Sequence, residues 1–146
     1  WTGRLFLGQQ WQGDLRSAME LYSSPVVVGH NFKGEPYLRA PLVIRSNGDV
    51  VGVSIITKMM NANQFKISYA IHPERRGQYL ATRTIATLSQ WIFANYPGAK
   101  ITASVYPENQ WSQSALLRNG FRMVAETAHL CEFQLVSRPN LLNAHH

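Results

Sequence analysis

A chain of 146 residues that is 45% hydrophobic and 15% charged is large enough for one globular domain and is not an intrinsically disordered protein. The formal net charge of +6 favours an anionic partner such as a polyphosphate, but no basic run is interleaved with aromatic residues, so nucleic acid is not indicated. One cysteine, Cys131, excludes an internal disulfide, and no membrane span or signal peptide is visible, so we expect a cytoplasmic protein.

The first part of the chain predicts a strand, a helix and a loop. Residues 4–7 predict a short strand, and Asp14 is suited to cap a helix that ends at the Ser-Ser-Pro sequence of residues 23–25. Residues 26–36 contain glycines and a proline, and they predict a loop.

Three strands follow this loop. Residues 37–45 and 50–59 predict two strands that form a hairpin, because Asn47-Gly48 between them supplies the positive φ angles of a tight turn. Residues 64–71 predict the third strand, since apolar residues alternate there with small or polar ones.

Helices and strands alternate in the rest of the chain. A long helix is predicted at 79–96, where apolar residues recur at helical spacing until Pro97-Gly98. The later elements are a strand at 101–105, a helix at 111–118 that Asn119-Gly120 ends, and a hairpin at 121–126 and 129–136. This order predicts a single α+β domain over residues 1–138, with a tail at 139–146.

The segment between the third strand and the long helix carries the first functional signal. Residues 72–82 bring Arg75, Arg76 and the unpaired N–H groups of a helix start to one place. Helix N-termini and successive loop N–H groups bind phosphate. Two arginines in a turn are more often solvated, so this phosphate site depends on a second motif downstream.

The loop resembles the first motif of the GCN5-related N-acetyltransferase superfamily, Arg/Gln-x-x-Gly-x-Gly/Ala. Arg76 and Ala81 match the ends of that pattern, and Tyr79 stands at the position of its inner glycine.

The second motif resembles the Asn-x-x-Ser and Lys/Arg-x-Gly-Phe signature of the same family. Asn109, Ser112 and the Leu-Arg-Asn-Gly-Phe sequence of residues 117–121 carry it at the family's spacing. A serine three residues after the asparagine is most similar to the branch that acetylates the N-termini of ribosomal proteins.

This resemblance implies a central, twisted, mostly antiparallel mixed sheet of about seven strands, flanked by helices and splayed at residues 64–71. It implies acetyl-CoA as the co-substrate and no metal. The pyrophosphate is expected on the loop and helix start, and the pantetheine along the open strand edge. The expected cofactor-binding residues are Tyr69, Ala70, Ile71, Arg75, Arg76, Gly77, Gln78, Tyr79, Leu80, Ala81, Thr82, Asn109 and Arg118.

The resemblance also implies one catalytic residue. Much of the family has a tyrosine acid seven residues after the asparagine, where this chain has Leu116. Ser112 therefore becomes the expected hydrogen-bond donor to the departing thiolate.

The general base stays open. The family often has a glutamate at positions that here hold Lys66 and Ser104. His30, Glu35 and His129 are alternative candidates. A substrate α-amine has an unperturbed pKa of about 8, so a water chain would suffice without a strong base.

The implied activity is transfer of an acetyl group from acetyl-CoA to a primary amine, such as a protein N-terminus, by direct attack in a ternary complex. The protein would act as a monomer or homodimer. One alternative is acetylation of a small amine (a polyamine, an amino acid or a drug), and the positive charge also permits an RNA-borne amine. The other is a domain that binds CoA or a protein without catalysis, which Tyr79, Leu116 and the missing carboxylate would suit.

Overall fold

The computed structural model describes residues 28–30, 33–46, 48–75 and 79–137. The strand predicted at 4–7, the helix predicted after Asp14 and the tail predicted at 139–146 lie outside these residues. The part of the chain that is described contains no helix long and apolar enough to cross a membrane.

The described residues form one mixed sheet with two α-helices, which confirms the predicted α+β class. In chain order the strands are β1 (Val28–His30), β2 (Pro36–Ser46), β3 (Asp49–Met59), β4 (Gln64–Ile71), β5 (Lys100–Val105), β6 (Arg122–Glu126) and β7 (Cys131–Val136). They make a 7-stranded sheet in the spatial order β1-β2-β3-β4-β5-β7-β6. Every neighbouring pair is antiparallel except β4 and β5, which are parallel.

Strand β1 corrects the prediction of a loop at residues 26–36. Val28 pairs with Leu38, and His30 pairs with Pro36, at the edge of the sheet. A three-residue strand is too short to show a hydrophobic period, and its backbone bonds to β2 come from tertiary pairing.

The predicted hairpin between β2 and β3 is confirmed. Ser46 pairs with Asp49, so the turn has two residues, and Gly48 has a φ of 86°. That left-handed angle is one that glycine adopts without a steric penalty. The turn therefore fixes the register of the two longest strands.

The two helices predicted within the described residues are present, as α1 (Leu80–Asn95) and α2 (Gln110–Arg118). Helix α2 ends in a Schellman motif, in which the Phe121 N–H donates to Leu116 O at 3.1 Å and the Gly120 N–H donates to Leu117 O at 3.0 Å. Gly120 has a φ of 85°, as this motif requires. The Asn-Gly pair at residues 119–120 therefore stops the helix as predicted.

The core lies between α1 and one face of the sheet. Leu88 and Ile92 of α1 are fully buried, as are Phe65 and Ile67 of β4. Burying each such side chain stabilises the fold by about 1.5–3 kcal/mol. The predicted helical stripe and the predicted strand alternation thus meet in a single core.

The sheet splays between its two parallel strands, as predicted. β4 and β5 pair only from Gln64 with Lys100 to Lys66 with Thr102, and β5 then continues along β7. Residues 67–71 of β4 are therefore left without a partner from β5. This gap opens beside the starts of both helices.

Candidate active site

A cavity of about 470 Å³ lies at the splay. Every predicted site residue that the structure describes lines it; Arg76, Gly77 and Gln78 lie outside the described residues. The predicted site residues that line the cavity are Tyr69, Ala70, Ile71, Arg75, Tyr79, Leu80, Ala81, Thr82, Asn109, Ser112 and Arg118. The cavity also touches Trp111, Ser114 and Ala115, which the motifs did not single out as site residues.

The wall formed by α1 begins at Tyr79, whose backbone corrects one expectation. A helical conformation was predicted for Tyr79, yet its φ of 56° and ψ of 23° are left-handed, and the helix starts at Leu80. This geometry suits a glycine better than a tyrosine.

The N–H groups at the start of α1 are not capped by the Tyr79 side chain, which makes no capping hydrogen bond. The first bond of the helix is donated by the Arg83 N–H to Tyr79 O at 3.0 Å. The amides of Leu80, Ala81 and Thr82 precede that bond, so they are the donors that a helix start presents to an anion.

Two arginines give this end of the cavity its positive charge. The Arg118 guanidinium carbon lies 4.9 Å from the centre of the Tyr79 ring, and that ring is 63% exposed. Arg75 donates from Nη2 to Asp49 Oδ2 at 3.4 Å. Each arginine is thus oriented by a neighbour, Arg118 by a cation–π contact and Arg75 by an exposed ion pair.

The wall formed by α2 begins at Asn109, which acts as its N-cap. Asn109 Oδ1 accepts the Ser112 N–H at 3.2 Å, and Ser112 is only 6% exposed. A cap of this kind satisfies one of the free donors of the first turn. It also fixes the backbone that carries the Ser112 hydroxyl.

Across the splay, β4 brings the Tyr69 hydroxyl to 2.5 Å from Ser112 Oγ. Burial raises the pKa of the Tyr69 phenol, and the hydrogen bond with Ser112 opposes part of that rise. The sequence predicted only a cofactor-binding strand edge at Tyr69. The strand alternation that places Tyr69 on the same face as Phe65 and Ile67 was the available signal for its side chain.

Asn119 ties the two walls together, although its sequence context predicted only a helix stop. Its Nδ2 donates to Thr82 O at 3.0 Å, in the first turn of α1, and to Ala115 O at 2.8 Å, in α2. One amide therefore ties the start of α1 to the C-terminal end of α2.

The other residues that were candidates for the catalytic acid or base do not line the cavity, as far as the structure describes them. Leu116 is fully buried in the core, and Lys66, Ser104, Glu35 and His129 are absent from the cavity wall. The side chain of His30 lies outside the described residues. Cys131 is a free, buried thiol in the core cluster. Among the described residues no three His, Cys, Asp or Glu side chains are grouped as metal ligands.

Comparison with known proteins identifies the family. Residues 9–122 match the model of the acetyltransferase (GNAT) domain, which is more than half of the chain. The chain belongs to the GNAT family. A search of curated protein sequences found no match to this GNAT chain.

Solved structures share the GNAT fold. RimJ from Mycobacterium smegmatis, in complex with a CoA disulfide, is 23% identical with a TM-score of 0.61, and the match covers 72% of this chain and 55% of RimJ. PseH, an N-acetyltransferase from Campylobacter jejuni in complex with acetyl-CoA, is 14% identical with a TM-score of 0.58, covering 85% of this chain and 77% of PseH.

A third structure is a Vibrio cholerae protein assigned as a ribosomal-protein-serine acetyltransferase. It is 17% identical with a TM-score of 0.57, covering 84% of this chain and 71% of that one. At these identities the likeness establishes the fold. The chain spans little more than half the length of RimJ.

Proposed function

We propose that this GNAT domain is an N-acetyltransferase that transfers an acetyl group from acetyl-CoA to a primary amine by direct attack in a ternary complex. One observation carries the proposal: a single cavity joins the open edge of β4, the start of α1 and the capped Ser112 of α2. These parts supply what the ligand and the reaction need.

The cofactor would be held by backbone groups and two cations. The amides of residues 80–82 and the charges of Arg75 and Arg118 suit the phosphates of CoA. The unpaired edge of β4 at residues 69–71 offers hydrogen bonds to the amides of the pantetheine, like an added strand. Asn109 lines the same cavity beside that edge.

The chemistry would need little beyond position and one donor. Bound acetyl-CoA supplies the acetyl group as a thioester; a C–N bond to the amine forms and the C–S bond breaks. Ser112 would donate a hydrogen bond to the departing sulfur, where negative charge develops. Its burial makes that hydrogen bond stronger than it would be in water.

No described side chain that lines the cavity is a carboxylate or a histidine. The cavity carries two arginines, and nearby positive charge favours the neutral form of an amine. A substrate α-amine with a pKa of about 8 would then lose its proton to water. We therefore expect the rate to rise with pH up to about 8 and then to level off.

For the acceptor we propose a protein N-terminus, and for the compartment the cytoplasm. The Asn109-Ser112 pair and the likeness to RimJ and to the Vibrio cholerae protein support the acceptor. The free thiol of Cys131 supports a reducing compartment. A small amine remains the second acceptor class to be tested.

A second candidate function is binding of CoA or of a protein without catalysis. The left-handed Tyr79 at a position where the family has glycine is the observation that favours it. The cavity is open beside that ring, with Arg118 against it, which favours cofactor binding, and Ser112 in the same cavity favours catalysis.

Mass spectrometry of peptide libraries and small amines, incubated with acetyl-CoA and the protein, tests the proposal. An increase of one acetyl group on a peptide N-terminus, with one free CoA thiol per acetyl group, is the expected result. If only small amines were acetylated, the acceptor would be a small amine and not a protein N-terminus. Binding of acetyl-CoA without any acetylated product would favour the second candidate.

A further inference from the structure

The contact between Tyr69 and Ser112 joins two elements that are 43 residues apart in sequence. Tyr69 lies three residues after Lys66, the last residue of β4 that pairs with β5, and so belongs to the part of β4 that borders the splay. Ser112 is in the first turn of α2 and is held by its cap. Both residues border the cavity.

The chemistry of the two hydroxyls decides the direction of the hydrogen bond. A phenol has a pKa of about 10, so it is a stronger hydrogen-bond donor than a serine hydroxyl. The serine oxygen has two lone pairs with which it can accept. The 2.5 Å contact fits either hydroxyl as donor, and this difference in acidity assigns the donor role to Tyr69. The hydrogen of Ser112 then has to point elsewhere, and the open direction is the cavity.

We propose that Tyr69 is a positioning residue that aims the Ser112 hydroxyl at the reacting sulfur. This inference rests on the proposed acetyltransferase function. Ser112 takes the donor role for which much of the family has a tyrosine at the position of Leu116, a side chain that is here fully buried in the core, and Tyr69 orients Ser112. The donor pair is thus built from β4 and α2 together.

Tyr69 acts as a hydrogen-bond donor and does not give up its proton. A thiol has a pKa of about 8.5, below the pKa of about 10 of a free phenol, so proton transfer from Tyr69 to a thiolate is unfavourable. Burial raises the pKa of Tyr69 further. The proton that the amine nitrogen loses ends on the sulfur through water, which balances the reaction.

Burial, and not nearby charge, favours the neutral form of Tyr69, because cations favour a phenolate. Among the described residues, the charged side chains that line the same cavity are Arg75 and Arg118. Ser112 contacts the phenol from α2, and Ser54 is the residue that pairs with Tyr69 on β3. Neither serine carries a charge.

A double-mutant cycle on the full chain tests the inference, with Tyr69→Phe, Ser112→Ala and the double variant. Tyr69→Phe should lower kcat about tenfold and change KM by less than about threefold, because the hydrogen bond acts in the transition state. In the Ser112→Ala background, Tyr69→Phe should change kcat by less than about twofold, since Tyr69 acts only through Ser112. Tyr37→Phe, outside the cavity, is the matched control and should leave kcat unchanged.

A second readout needs no turnover. The ultraviolet absorbance of phenolate, titrated in the free protein, reports Tyr69 as the difference between the unsubstituted protein and Tyr69→Phe. Ser112→Ala should raise the pKa of Tyr69, because the Ser112 hydroxyl, which accepts from the neutral phenol, can turn and donate a stronger, charge-assisted bond to the phenolate.

Three results would overturn the inference. The first is an equal effect of Tyr69→Phe on kcat in both backgrounds. The second is a raised KM with an unchanged kcat in Tyr69→Phe. The third is a pKa of Tyr69 that is the same in Ser112→Ala as in the unsubstituted protein. Failure of the proposed function would look different, because the unsubstituted protein would show no turnover even where calorimetry detects CoA binding. That result would remove the inference as well.

Discussion

The two helices that border the cavity begin in opposite ways. Helix α1 follows Tyr79, whose backbone is left-handed and whose side chain makes no capping hydrogen bond. Helix α2 follows Asn109, whose side chain accepts the Ser112 N–H. The first start presents free donors to the cavity, and the second has used one of its donors to fix its own turn.

The difference assigns different tasks to the two starts. Free N–H groups with nearby arginines suit a ligand that brings negative charge, so the α1 start belongs to binding. A capped turn holds one side chain in place, so the α2 start belongs to the chemistry at Ser112. Substitutions at each start should therefore change different measurements.

The largest effect is expected at the capped start. Ser112→Ala should lower kcat by about 10- to 1000-fold, with a smaller change in acetyl-CoA affinity, because the lost hydrogen bond forms mainly in the transition state. Steady-state kinetics and calorimetry measure the two quantities. Ser68→Ala, on the exposed face of β4, is the matched control. An unchanged kcat with a raised KM would make Ser112 a binding residue.

A negative charge at the open start should separate binding from folding. Thr82→Glu should weaken acetyl-CoA binding about tenfold by repelling the phosphates. It should also stabilise the fold by about 0.3–1 kcal/mol, since a carboxylate is favourable at a helix N-terminus. Gln110→Glu makes the same change at the start of α2, outside the cavity wall, and should leave binding unchanged. Equal losses of affinity in both variants would contradict the assignment.

Removing the Asn109 cap at the start of α2 should lower the stability of the fold. Asn109→Ala should lower the free energy of unfolding by about 1 kcal/mol, because the Ser112 N–H loses its acceptor. Denaturant unfolding measures this change. Asn109→Asp keeps a side-chain oxygen and should retain most of the stability. The same loss in both variants would show that Asn109 is not acting as a cap.

The smallest effect is expected at Tyr79. Tyr79→Gly relieves about 1 kcal/mol of left-handed strain and loses a contact with Arg118 worth about 0.5–1 kcal/mol, so its net effect should be below about 1 kcal/mol. Tyr79→Ala loses the contact and keeps the strain, so it should be the less stable of the two. Acetyl-CoA affinity should change by less than about tenfold in either variant. A large gain of affinity in Tyr79→Gly would mean that the ring blocks the phosphates.

Sequence by itself determined the elements and most of the candidate site. Periodicity predicted β4 and α1, Asn47-Gly48 predicted the hairpin turn, and the asparagine-glycine pair at 119–120 predicted the end of α2. Each of these signals is local, because turn and cap geometry depends on a few adjacent residues. The motifs also named the described residues that line the cavity, except Trp111, Ser114 and Ala115, since those residues lie in two short segments.

Only the tertiary structure decided which residues that are distant in sequence meet. Strand β1 exists through its pairing with β2, and the left-handed backbone of Tyr79 is a conformation that no local pattern predicts for a tyrosine. The meeting of Tyr69 with Ser112 depends on the splay that begins after Lys66 pairs with Thr102. Local pattern cannot specify such a meeting, since it depends on where two strands part and how a helix packs into the gap.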